Sequence, residues 1–213
     1  MDHTAKRLQM VEQQLKARSI VDTGVLKAMS EVPRHEFVPS ELRDIAYGDF
    51  PLPISDEQTI SQPYIVALMT EALELKGPEN VLEIGAGSGY QAAILSRLAK
   101  TVYTIERIDS LVSHAQSVLA KLSYLNVHVV AGDGSMGLKQ HAPYDAIVVT
   151  AACPHVPKEY YSQLAEGGRL VVPVGSRTVQ QLLKITREGD RFVERKLCDC
   201  MFVPLIGEDG WSE

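Results

Sequence analysis

The sequence predicts an α/β protein with a doubly wound, mostly parallel sheet of about seven strands, helices on both faces and an N-terminal helical annex. Two observations carry this reading. Through the middle of the chain, short apolar runs alternate with segments of helical spacing, and the first such run ends in a glycine-rich turn that opens a helix. The tail then changes character, becoming two strand-like runs around "REGDR".

Taken in order, residues Thr4 to Arg18 carry Leu8, Val11 and Leu15 at helical spacing, and "DTGVLKAMSEV" gives a second short helix that stops before Pro33. From Pro33 to Pro63 the chain is proline-rich and aperiodic, which predicts a surface loop entering the main unit. The series then runs "NVLEIG" strand, "YQAAILSRLAK" helix, "TVYTIER" strand, "DSLVSHAQSVLAKL" helix and "NVHVVAGD" strand. "YDAIVVTAA" predicts a fourth strand, "KEYYSQLAEGG" a helix ending at glycine, and "RLVVPVG" a fifth strand. The tail predicts an antiparallel hairpin on the sheet's far edge. The expected organisation is a single domain over 1–213, with helices and a loop in 1–60, the α/β core in 61–175 and antiparallel strands in 176–213. Ligands are expected at the carboxyl ends of the parallel strands.

Composition narrows the function. With 213 residues, 45% of them hydrophobic, the chain has enough apolar material for a sizeable core. A net charge of −6 opposes general attraction to nucleic acid or anionic membrane. The N-terminus lacks the apolar core of a signal peptide, and no apolar run reaches membrane-spanning length, so a cytoplasmic protein is expected. The 3 cysteines, Cys153, Cys198 and Cys200, form no C-x-x-C pair; Cys198 and Cys200 read as two buried thiols on one sheet face. The 6 histidines show no zinc-site pairing, so no metal is expected.

The chemistry gathers at the sheet's carboxyl edge. "EIGAGSGY" puts Gly85, Gly87 and Gly89 in a βα turn, where the missing Cβ lets backbone approach a ligand. A dinucleotide fingerprint wants a glycine where this chain has Tyr90, and Glu83 sets a carboxylate beside the same pocket. An anion is repelled there and a cationic amino-acid group is welcome. Glu106, about twenty residues on, suits two ribose hydroxyls, or it is simply a strand-end charge beside Arg107. In "AGDG", Asp133 and Gly134 offer an acceptor for an adenine amino group, or form an ordinary turn. Together these residues indicate S-adenosylmethionine, which is cationic and carries no phosphate. Ser61, before Pro63, reads as an N-cap whose hydroxyl and neighbouring N–H groups also suit an anion.

These residues resemble the protein-L-isoaspartate O-methyltransferases. The resemblance runs through nearly the whole chain, and its most specific stretches are "VPRHEFVP" and "TISQP". It implies a Rossmann-like methyltransferase fold, S-adenosylmethionine as co-substrate and methyl transfer to the α-carboxylate of L-isoaspartyl residues in damaged proteins. The ester then closes to a succinimide, from which normal aspartate is partly restored. A monomer is expected, and the resemblance further implies Ser61 as the active-site serine, with Thr59 beside it on the substrate. The implied cofactor set is Glu83, Gly85, Ala86, Gly87, Ser88, Gly89, Glu106, Arg107, Asp133 and Gly134. Two positions depart from the family pattern. Glu57 stands where glycine is usual before Gln-Thr-Ile-Ser, so it carries strain if that glycine takes positive φ; Cys153 stands where alanine is commoner. Competing readings are another methyltransferase, a nicotinamide-dependent oxidoreductase lacking its third fingerprint glycine, and a non-catalytic binding module.

Overall fold

In the computed structural model, residues 2–212 are described. Helix α1 (His3–Met10) is capped by Asp2, whose carboxylate accepts from Ala5 N at 2.7 Å. It runs on through a π-helical turn and a 3₁₀ turn to Arg18. Asp22 caps α2 (Thr23–Glu31) in the same way, and that helix ends at Val32 because the residue before Pro33 is pushed to extended backbone. Met10, Leu15, Val25 and Met29 bury their side chains in one core with Ala67, Met69 and Leu73. The stretch predicted as an open loop is better anchored than expected. It holds two 3₁₀ segments, with Phe37 fully buried, and a small hairpin of β1 (Leu52–Pro53) and β2 (Thr59–Ile60) that buries Leu52 and Ile60.

Helix α3 (Pro63–Ala72) leads into β3 (Asn80–Ile84), α4 (Tyr90–Ser96), β4 (Thr101–Glu106), α5 (Asp109–Lys121), β5 (Val127–Ala131) and β6 (Tyr144–Val149). Helix α6 (Lys158–Gln163) precedes β7 (Leu164–Gly175), β8 (Gln180–Glu188) and β9 (Arg191–Cys200). The main sheet has order β5-β4-β3-β6-β7-β8-β9, parallel through β7 and antiparallel beyond. From β3 the chain first builds outward to β5 and then returns to the other side at β6, so the crevice between those directions lies at the carboxyl ends of β3 and β6. Central strand β3 is buried on both faces: Val81 belongs to one core layer, Leu82 and Ile84 to the other.

Two local expectations are corrected. The sixth helix does not reach Gly167; it stops at Gln163 because fully buried Leu164 turns extended and pairs with Tyr144, and the following residues form an irregular start to β7. Cys198 and Cys200 are half-buried, not buried, since β9 is the edge strand and only one side of it is covered. Among the described residues no helix is long and apolar enough to cross a membrane.

Candidate active site

The glycine turn is fixed from three sides. Gly85 N donates to Ile105 O at 2.8 Å, and the Thr150 hydroxyl sits against Ile84 O (2.9 Å) and Gly85 O (2.7 Å). A Cβ on Gly85 would run into that hydroxyl, so glycine is required by close approach as well as by its φ of +97°. Gly87 N donates to Glu106 Oε2 at 3.0 Å, while Glu106 Oε1 accepts from Arg107 N (2.8 Å) and Ile108 N (3.1 Å). Glu106 thereby straps the end of β4 to the turn, and its carboxylate keeps lone pairs for a ligand.

Glu83 lies beside this turn, fully buried, and neither carboxylate oxygen has a hydrogen-bond partner. Burial pushes its carboxyl up to about 8; the nearby Thr104 hydroxyl lowers it without completing a hydrogen bond, and the Glu106 charge raises it further. A buried carboxylate left without a partner is costly, and a cation in the adjoining cavity relieves it. The residues fit S-adenosylmethionine on this ground.

Ser61 lines the same cavity, together with Gln58, Thr59 and Ile60. It is not the N-cap that the sequence suggested. Gln62 holds that position with Pro63 as the first helical residue, and the Gln62 amide is turned away to Asp49 O at 2.9 Å. No side chain caps α3, and the Ser61 hydroxyl bonds to no other described residue. Glu57 has φ +57°, and so does its neighbour Asp56.

Asp133 lies further along the sheet edge, in an adjoining recess with Arg107, Gly132, Ile206 and Gly207. Its Oδ1 accepts from Ser135 N and its Oδ2 from Glu208 N, both at 2.8 Å. Burial alone raises this carboxyl, but donors from Glu208 and Ser135 outweigh it and hold it below the usual carboxylate range. Gly134 faces the main cavity. The structure therefore brings Ser61, Thr59, Glu83, Gly85 to Ser88, Glu106, Arg107 and Gly134 around one cavity, with Asp133 at its margin, whereas Gly89 packs toward Leu119 and Ala115 of α5. The Cys153 thiol is buried and pushed up to about 12, so it stays protonated and is no nucleophile.

Sequence reasoning missed Tyr90, Gln91 and Thr150 as wall residues, and above all the stretch Val203 to Ile206. The tail folds back: Ala152 N donates to Val203 O at 2.7 Å and Leu205 N to Ala152 O at 2.8 Å, which lays this stretch over the cavity. "FVPL" was visible as a motif, but nothing local in it signals a site.

A sheet of this order, with an acidic cavity at its switch point and no phosphate-seeking cation in the turn, defines an S-adenosylmethionine-dependent methyltransferase. A model of the protein-L-isoaspartate(D-aspartate) O-methyltransferase family matches residues 5–210. The protein-L-isoaspartate O-methyltransferase of Syntrophus aciditrophicus is 55% identical, covering 100% of this chain and 99% of its own. That of Desulfosudis oleivorans is 53% identical over 99% of this chain and 96% of its own. A solved protein-L-isoaspartate O-methyltransferase superposes with a TM-score of 0.83 at 31% identity, covering 97% of this chain and 66% of that one. A Plasmodium falciparum structure assigned to the same activity, in complex with S-adenosyl-L-homocysteine, gives 0.82 at 26% identity over 94% and 98%. The chain belongs to the protein-L-isoaspartate O-methyltransferase family. It is an enzyme that methylates the α-carboxylate of L-isoaspartyl residues, and its co-substrate is S-adenosylmethionine.

Proposed function

We propose a division of labour across the cavity, with the substrate carboxylate held by Ser61 and Thr59 and S-adenosylmethionine held by the opposite wall. On that wall Glu83 answers the positive charge of the amino-acid end, and Gly85 to Ser88 lie along it, the two glycines letting the backbone come close. Glu106 accepts from the ribose, with Arg107 closing the same end, and the adenine reaches Gly134 and the Asp133 recess.

The bound co-substrate supplies an electrophilic methyl on a sulfonium. The chain needs little machinery beyond orientation, because an α-carboxyl has a pKa of roughly 3.3–3.7 and is already ionised at neutral pH. Holding such a nucleophile in line contributes roughly 7–11 kcal/mol to lowering the barrier. The observation that carries the assignment is the Ser61 hydroxyl, which faces the cavity and bonds to no other described residue. The uncapped N–H groups at the start of α3 add positive potential beside it. Three free thiols support work in a reducing compartment, the cytoplasm, and nothing in this scheme calls for more than one chain.

Methyl transfer to matched peptides tests this. The isoaspartyl peptide is methylated and its aspartyl twin is not. Ser61→Ala lowers kcat/KM about ten- to a hundredfold, the cost of one hydrogen bond to a charged group, and leaves affinity for S-adenosylhomocysteine unchanged. Unimpaired turnover in that variant assigns the carboxylate to other residues.

A further inference from the structure

The hairpin of β1 and β2 stands apart from the main sheet and ends in the turn Ser55 to Gln58, closed by Gln58 N donating to Ser55 O at 3.1 Å. Both central residues, Asp56 and Glu57, have φ +57°, the left-handed pair that a tight hairpin turn demands and that Asn-Gly serves best. Two non-glycine residues are held there, and the side chain of one of them has a use. Asp56 Oδ2 accepts from Ser110 Oγ at 2.7 Å. Ser110 is the second residue of α5, in the segment that follows Glu106. Among the described residues this is the one polar side-chain bond from the hairpin, residues 52–60, to another part of the fold. Ile54, reaching over the glycine turn toward Gly87, is the apolar counterpart.

We propose that Asp56 is a positioning residue: bonded to Ser110, it fixes the hairpin that leads into Ser61 relative to the loop after Glu106, so that the two walls of the cavity keep one spacing. This rests on the roles of Ser61 and Glu106 given above. The consequence is kinetic. A hairpin free at its tip still admits both ligands, but the carboxylate and the methyl meet in line less often. The loss therefore falls on kcat, while cofactor affinity stays with the opposite wall.

A double-mutant cycle tests it. Ser110→Ala removes the donor, and Asp56→Gly removes the acceptor without adding strain at positive φ. Each single variant is expected to lower kcat on an isoaspartyl peptide about two- to tenfold, the fold-change equivalent of one hydrogen bond. The double variant is expected to be no slower than the slower single, Ser110→Thr to recover the rate, and the dissociation constant for S-adenosylhomocysteine to hold within twofold throughout. An unchanged kcat in Ser110→Ala, losses that multiply in the double variant, or a fall in kcat that only follows a fall in melting temperature overturns the proposal. Ser61→Ala in the same assay separates the two ideas. If it is silent while the cycle is non-additive, the serine's role fails and the tie stands; if it is impaired while the cycle is additive, the reverse holds.

Discussion

A carboxyl group with no donor in reach is expensive to bury, and Glu83 is kept in that condition at the centre of the sheet, paired in register with Thr104 and Val148. Its pKa moves from the ordinary 4.5 to about 8, so between those values the folded protein holds a proton that the unfolded chain has released. A group raised in this way stabilises the fold at low pH and loses that contribution as pH climbs. Without ligand, stability is expected to fall from about pH 4.5 to about pH 8, at up to roughly 1.4 kcal/mol per unit. Glu83→Gln, neutral throughout, removes that slope. Urea denaturation of both proteins at several pH values in this window measures it, and parallel slopes would exclude Glu83 as the source. The identity of this residue was legible in the sequence, since its place two positions before Gly85 put a carboxylate at the strand end. Its isolation was not, because the missing partners are a property of neighbouring strands β4 and β6.

At the scale of elements, the hairpin tip holds two neighbouring non-glycine residues, Asp56 and Glu57, at positive φ. An L-residue in the left-handed region costs about 1–2 kcal/mol, and glycine returns part of that in unfolded-state entropy. Glu57→Gly is accordingly expected to stabilise the protein by about 0.5–1 kcal/mol, read from the urea midpoint. It leaves the Asp56 to Ser110 bond in place, and equal kinetics for parent and variant across several isoaspartyl peptides would confine Glu57 to a stability role. The same scale separates what could be read in advance from what could not. Strands β3 to β6 and their helices were legible because each is a mostly apolar or 3.6-periodic run. The end of α6 was not, because "QLAEGG" favours a helix with a glycine stop locally, and only pairing of Leu164 with Tyr144 overrides it. Ser61 illustrates the opposite error. Its type and place before Pro63 fit a cap, yet the backbone enters α3 one residue later and leaves the hydroxyl for the cavity.

Across the whole molecule, the cavity is walled by segments far apart in the chain: the hairpin, the glycine turn, the end of β4, and the tail from Val203 to Ile206. The tail is held there by donors from Glu208 to Asp133 and from Asp209 to Ser135, and Gly207 passes so close to Asp133 that a Cβ has no room. A ligand spanning these walls binds only when all of them are in place, so its binding energy adds to the stability of the fold as a unit. At a hundredfold excess over its dissociation constant, S-adenosylhomocysteine is expected to contribute about 2.7 kcal/mol. For a chain of 213 residues that corresponds to a rise in melting temperature of about 5–11 °C. Its amino group also draws Glu83 toward the ionised form, which tightens binding as pH rises, so at one fixed ligand concentration the rise should be larger at pH 8 than at pH 6. NAD carries a pyrophosphate for which the glycine turn, residues 85–89, holds no cationic side chain, and it has no ammonium group to pair with Glu83, so no shift is expected from it. Thermal melts with each ligand at the two pH values decide the matter: a shift of equal size for NAD, or a smaller shift at pH 8 for S-adenosylhomocysteine, contradicts the placement of a cationic group against Glu83.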